Sequence, residues 1–163
     1  MADILTIRHA RPADLAAVDA LLAASYPRLL AAAYPPSVMV TAVPLIARAN
    51  PRLLASGRFF LAEDAAGIVR AAGGWSAAAP ADGTGHVRHV VTDHRHTRRG
   101  IGRRLMDRVL SDAGAAGCTR LHCLATRSAV AFYAALGFVV LGPVEIALRP
   151  GITFPVVRMR RTL

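Results

Sequence analysis

No lysine occurs among the 163 residues, and acids are scarce: ten, against twenty arginines, for a formal net charge of +10. Without lysine there can be no phosphate-binding GxxxxGK[ST] loop. No apolar run approaches the roughly 20 residues that a helix needs to cross a bilayer. The opening MADILTIRHARPADL lacks the basic end and apolar stretch of a secretory leader, so a cytoplasmic protein is expected. Only two cysteines are present, Cys118 and Cys123, five apart on one predicted strand. That odd separation points them to opposite faces, a poor arrangement for a disulfide or a shared metal, and buried free thiols are expected. Six scattered histidines form no metal motif.

What is present is the composition of a globular chain, 54% hydrophobic and 18% charged. One compact domain, 1–163, fits this length, and a second does not. The positive charge predicts affinity for polyanions, an affinity that counterion release makes generic. Its placement says more. Arg95, Arg98, Arg99, Arg103, Arg104 and Arg108 crowd into one short stretch, broken by Gly100 and Gly102 and leading into an amphipathic segment.

The order of elements follows from periodicity and breakers. Ile4–Ile7 reads as a short strand. Leu15, Val18, Leu21 and Leu22 lie on one side of a helix that Pro27 should end or kink. Residues 31–50 form a second helical region cut by Pro35, Pro36 and Pro44. Arg58–Glu63 and Ile68–Trp75 make a hairpin, with Gly73 and Gly74 suited to a bend or bulge. After a loop over 77–85, His86–Thr92 is a strand. Ile101, Leu105, Val109 and Ala113 recur at helical spacing, and Gly114 and Gly117 should close that helix. Arg120–Leu124 is a strand, a helix follows up to Gly137, and Phe138–Leu141 begins another strand. The last strand, Thr153–Met159, contains Pro155, which places it at a sheet edge or bulge. The sum is a mixed α/β domain of six or seven strands with helices covering the sheet.

The stretch from Val90 to Met106 carries the chemistry. A strand runs into a loop, and arginines punctuated by glycine open a helix. A helix start offers free N–H groups and a dipole that favours phosphate. Gly100 and Gly102 allow the backbone to approach an anion, and arginine supplies a charged fork for its oxygens. A solvated, arginine-rich helix start is the plainer alternative. A dinucleotide fingerprint is excluded, because Leu105 stands where the third glycine of GxGxxG is needed.

The segment Thr97-Arg98-Arg99-Gly100-Ile101-Gly102 resembles the [Gln/Arg]-x-x-Gly-x-[Gly/Ala] acyl-CoA motif of the GNAT superfamily of N-acetyltransferases, with Thr97 in the Gln/Arg position. His94 also departs from the pattern, standing where proline is common. Downstream, Phe132-Tyr133-Ala134-Ala135-Leu136-Gly137-Phe138 is similar to the FYxxLGF segment of the same family, and ILTIRHARPADLAAVDALL to its usual opening. No asparagine precedes Tyr133 where the family often has one.

The resemblance implies an acyl-CoA N-acyltransferase-like fold with a mostly antiparallel sheet, and acetyl transfer from acetyl-CoA to a primary amine of a small molecule or protein. Arg98, Arg99, Gly100, Ile101, Gly102 and Arg103 would surround the pyrophosphate. Val90, Val91 and Thr92 would pair with the pantetheine arm, and backbone near Val91 would stabilise the oxyanion. Tyr133 would be the general acid, its alternative role being a wedge between helix and sheet. For the base the strand lacks the glutamate that relatives often use. His89 can titrate near neutrality and lies close to the expected reaction centre; its alternation with Val87 and Val91 suits a packed histidine at least as well, a parity that a family bulge in this strand would alter. His86 and Arg88 fall on the other face. Glu145, Trp75, Tyr26 and Tyr34 are weaker candidates for the acceptor site, each also explained as an ordinary surface or core residue. No membrane partner is expected, and the resemblance allows a homodimer. Two other readings compete: a basic nucleic-acid-binding protein, against which Ile101 and Leu105 indicate packing on a sheet, and an acyl-CoA sensor without turnover.

Overall fold

The computed structural model describes residues 4–78 and 82–163. Among the described residues seven strands form one sheet in the order β1-β2-β3-β4-β5-β7-β6. They are β1 (Thr6–His9), β2 (Phe59–Glu63), β3 (Val69–Ala77), β4 (Thr84–Thr92), β5 (Arg120–Ala125), β6 (Val139–Arg149) and β7 (Ile152–Thr162). Every pairing is antiparallel except β4 with β5. That parallel step requires a crossover, which α5 (Ile101–Ala115) supplies. The other helices are α1 (Leu15–Leu30), the short α2 (Pro36–Thr41), α3 (Val43–Ile46) and α4 (Pro51–Leu54), and α6 (Val130–Ala135). Among the described residues no helix is long and apolar enough to span a membrane, and no group of three His, Cys, Asp or Glu could hold a metal ion.

The sheet separates two hydrophobic layers. On one face α5 buries Ile101, Leu105, Met106, Val109 and Ala113, the stripe its periodicity predicts, against Phe60, Ala62, Ala71, Val87 and Leu121. On the other, α1 to α4 cover Phe59, Leu61, Ala72, Val91 and Phe154. Trp75 belongs to the first layer: its ring is buried, its Nε1 donates to Asp112 at 2.8 Å, and the Arg58 guanidinium lies over it. It is a core residue.

Several local expectations are corrected by packing. Pro27 does not end α1, which continues to Leu30; Tyr26 and Leu30 are both buried, and that burial offsets the backbone bond the proline forfeits. Gly114 lies inside the last turn of α5, and Gly117, at φ +94°, follows its end. Cys118 precedes β5 rather than sharing a strand with Cys123; both are free thiols, and only Cys123 is fully buried. Pro155 is not on an edge strand, since β7 lies between β5 and β6. It is tolerated because β5 pairs with β7 only up to Ala125–Val157. Beyond that point the Pro155 carbonyl accepts the Tyr34 hydroxyl at 2.7 Å. The N–H and C=O of one strand residue point the same way, so the missing donor faces a side with no strand to bond.

Candidate active site

The chemistry-bearing residues meet where β4 leaves β5. The two strands pair only from Thr84–Arg120 to His86–His122. Beyond His86, β4 follows β3 to Thr92 and β5 follows β7 to Ala125, so a cleft opens between them. Its cause is a bulge: Ala72 pairs with Val91 but Gly74 with Arg88, leaving His89 and Val90 opposite the single residue Gly73. His89 takes φ +49°. A bulge of this kind bends the strand and increases its twist. Gly73 accommodates it, because a Cβ there would lie 2.8 Å from Val90 Cγ2 and 3.2 Å from its Cα.

The bulge corrects the expected alternation of β4. Val87 and Val91, four apart, should share a face with His89; instead Val87 packs in the α5 layer and Val91 in the α1 layer. The extra residue inverts the parity, and the His89 side chain is turned to the wall of the cleft. Burial, and then the Arg88 charge, push its imidazole below the ordinary value, so it is a neutral base at physiological pH.

The cleft encloses about 600 Å³. One wall is the β4 edge from Val90 to Thr92; the opposite wall is Cys123 and Leu124 of β5 with Thr126, Ser128, Phe132 and Tyr133 beyond it. At its mouth lie Arg98, Gly100, Ile101, Gly102 and Arg103, while Tyr26 closes the α1 side. Arg99 lines a second cavity, between the N-terminal end of β1, the β2–β3 turn and α5, together with Arg70 and Arg104. The Arg98-Arg99 pair is therefore divided between two cavities.

The turn before α5 is held by Asp93. Its buried carboxylate accepts from Arg70 at 3.0 Å and from the Arg95 side chain and amide at 3.0 to 3.2 Å. His94 and His96 present Nδ1 atoms 3.7 and 3.5 Å away. Burial alone would raise the Asp93 carboxyl, but the Arg95 and Arg70 hydrogen bonds outweigh it and hold it well below the usual carboxylate range. A depressed native value stabilises the fold above the unfolded value near 4, and that contribution is lost as the pH falls. Asp93→Asn is therefore expected to cost about 1–3 kcal/mol at pH 7 and to flatten the acid limb of stability against pH. Urea unfolding of both proteins from pH 7 to 3 checks this; equal slopes would count against the role.

After this anchor Arg98 and Gly100 both have left-handed backbones, φ +60° and +76°, which curl the chain into the first turn of α5. The two glycines act differently. A Cβ on Gly100 would meet nothing within 4 Å, so its role is conformational. A Cβ on Gly102 would lie 2.9 Å from Thr92 Oγ1 and 3.3 Å from the Phe132 ring, so here the requirement is space.

Tyr133 is buried with its ring edge-on to Phe132 and Phe138, and it lines the cleft. Burial, then Cys123 and Tyr26, raise its phenol well above the ordinary value, so it is a protonated donor at neutral pH. Burial pushes the Tyr26 phenol and the Cys123 thiol each up to about 12. A neutral thiol is a poor nucleophile. Tyr34 is a strut: besides Pro155 it bonds the Arg127 amide at 2.9 Å, tying the segment after α1 to β7 and to the turn before α6. Glu145 is exposed on β6, away from the cleft. Sequence reasoning missed the wall formed by Leu124, Thr126 and Ser128, which carries no motif; Phe132 was visible only as part of FYxxLGF.

No curated protein sequence matches this chain significantly. Among solved structures, a GCN5-related N-acetyltransferase from Rhodopseudomonas palustris superposes with a TM-score of 0.80 at 20% identity, covering 100% of this chain and 97% of that one. The PaiA N-acetyltransferase of Thermoplasma acidophilum, solved in complex with coenzyme A, gives a TM-score of 0.75 at 14% identity, covering 98% and 99%. At these identities the likeness establishes the fold. Residues 55–140, just over half of the chain, match the acetyltransferase (GNAT) domain, and that span runs from β2 through the cleft to the start of β6. With the turn, the divided strands and the matching domain in one place, the chain belongs to the GNAT family of acetyltransferases.

Proposed function

We propose that the protein transfers an acetyl group from acetyl-CoA to a primary amine by direct attack within a ternary complex. The observation that carries this reading is the parting of β4 from β5 beside the arginine-glycine turn. It leaves a strand edge, Val90 to Thr92, without a partner on one side, next to a curled backbone at a helix start. A strand edge suits the amides of a pantetheine arm, and the turn suits a pyrophosphate. The space kept by Gly102 fits that use. The pyrophosphate is assigned to Arg98, Gly100, Ile101, Gly102 and Arg103; Arg99 contributes charge from the adjacent cavity.

Bound acetyl-CoA supplies an activated acyl carbon and a thiolate leaving group. The chain supplies the proton transfers. His89, neutral and in the cleft wall, accepts the proton that the attacking amine sheds. Tyr133, protonated and facing the same space, delivers a proton to the departing sulfur. Backbone amide near Val91 receives the negative charge on the carbonyl oxygen. One proton is taken and one given, so the site is reset by exchange with water.

Calorimetric titration with acetyl-CoA at near-physiological salt is the direct test, with saturable one-to-one binding in the micromolar range expected. Arg98→Glu should weaken it by roughly tenfold or more, the effect of losing a charge-assisted phosphate contact, and Arg99→Glu should weaken it less. No binding by folded wild-type protein would remove the proposal. Binding without thiol release across a broad amine panel would favour an acyl-CoA sensor.

A further inference from the structure

The cleft continues onto a part of the α1–α4 face of the sheet where the side chains of β4, β5 and β7 are exposed or half-buried. Backbone alternation puts His86 and Arg88 of β4, Arg120 and His122 of β5, and Arg158 and Arg160 of β7 on this one face, with His86 beside His122 and Arg160 beside His122 in register. The His86 and His122 rings lie 5.9 Å apart. Arg88, Arg158 and Arg160 are exposed. This face joins the cleft at two points: Leu124 lines the cleft and pairs with Arg158, and Arg88 precedes His89 in the opposite wall.

Negative charge is scarce here, and most of the described acids are engaged elsewhere. Asp14 and Glu63 are held by Arg8, and Asp64 and Asp93 by Arg70. Asp112 receives the Trp75 indole and Asp19 the Ala49 amide. Among the described residues the acid at this face is Asp82, which Arg120 pairs at 3.2 Å. Four arginines thus share one carboxylate.

Resting on the acetyltransferase reading, we infer that the acceptor is a small anionic amine whose carboxylate or phosphate is held by Arg158 and Arg160 while its amino group reaches the cleft. Two side chains two apart on one strand face stand about 7 Å from each other, and guanidinium forks match carboxylate and phosphate oxygens. The same positive field repels cationic amines and favours the uncharged form of the attacking nitrogen. In the transfer the amine nitrogen forms a bond to the acyl carbon and the carbon–sulfur bond breaks. The amine loses one proton and the CoA thiol gains one.

The test uses matched acceptors that differ in charge, glutamate against glutamine and O-phosphoserine against serine, with spermidine as the cationic control. Thiol release is followed at near-physiological salt for wild type and for Arg158→Gln/Arg160→Gln. Acidic members should exceed their neutral partners in kcat/KM by about tenfold or more, a difference of ~1.4 kcal/mol. The double variant should erase that preference through KM and leave acetyl-CoA affinity unchanged. The pairs separate carboxylate from phosphate recognition. In parallel, glutarate binding to the CoA-loaded protein is measured by calorimetry, and the double variant should lose it. A preference for neutral or cationic amines, or a preference and glutarate affinity that survive in the variant, would overturn the inference. So would the absence of both acidic preference and glutarate binding. Arginine-dependent glutarate binding without turnover of any amine would instead retain the anion site and sink the acetyltransferase reading.

Discussion

Tyr133→Phe is expected to bind acetyl-CoA as the wild type does and to release thiol at least about tenfold more slowly, the lower end of the range for lost acid catalysis. The substitution removes one oxygen and keeps the ring that packs between Phe132 and Phe138. A role as a wedge would survive it. The phenol is buried, and its proton is held tightly by the surrounding apolar groups. A departing thiolate in the cleft is otherwise left to find its proton from water. Thermal unfolding of both proteins separates the two roles: stability near wild type with slow chemistry identifies the acid. Unchanged turnover, with thiol release shown to be rate-limiting, would leave Tyr133 as packing alone.

Gly102→Val should abolish measurable acetyl-CoA binding, whereas Gly100→Ala should reduce stability modestly and retain the cofactor. At Gly102 even the first added carbon meets Thr92 Oγ1 and the Phe132 ring at 2.9 and 3.3 Å. Valine adds two more carbons in the angle between α5, β4 and α6. Relieving overpacking of this kind costs about 1–3 kcal/mol, and the relief must come from the walls of the mouth itself. Gly100 faces open space, and the cost there is the left-handed backbone, about 1 kcal/mol. Titration of the two variants, with folding checked by circular dichroism, compares them directly. Equal affinities would remove the turn from the cofactor site.

The turn and the helix behind it were legible because their signals are local. Gly100 and Gly102 lie within one turn of the arginines they space, and the Ile101–Leu105–Val109–Ala113 stripe states which face is buried. Tyr133 came through a contiguous motif in the same way. His89 was legible as a candidate, but strand parity by itself left its direction open. Strand parity holds only where no residue is added, and the added one is fixed by Gly73 across the ladder, sixteen positions earlier. Pro155 was misplaced for a related reason: its tolerance depends on where β5 stops, which nothing around Pro155 encodes. Of the basic sheet face only His86 and Arg88 could be placed together, because Arg88, His122 and Arg160 become neighbours only when three strands are laid side by side.

The amino-acid sequence by itself determined the elements and the chemistry of the turn, since helix periodicity, glycine conformation and arginine charge act over a few residues. Tertiary structure decided the rest: the parting of β4 from β5, the turning of His89 to the cleft, the division of Arg98 from Arg99 between two cavities, and the gathering of arginines beside the mouth. These depend on register and packing between segments far apart in the chain, and such contacts have no energy until the sheet has formed.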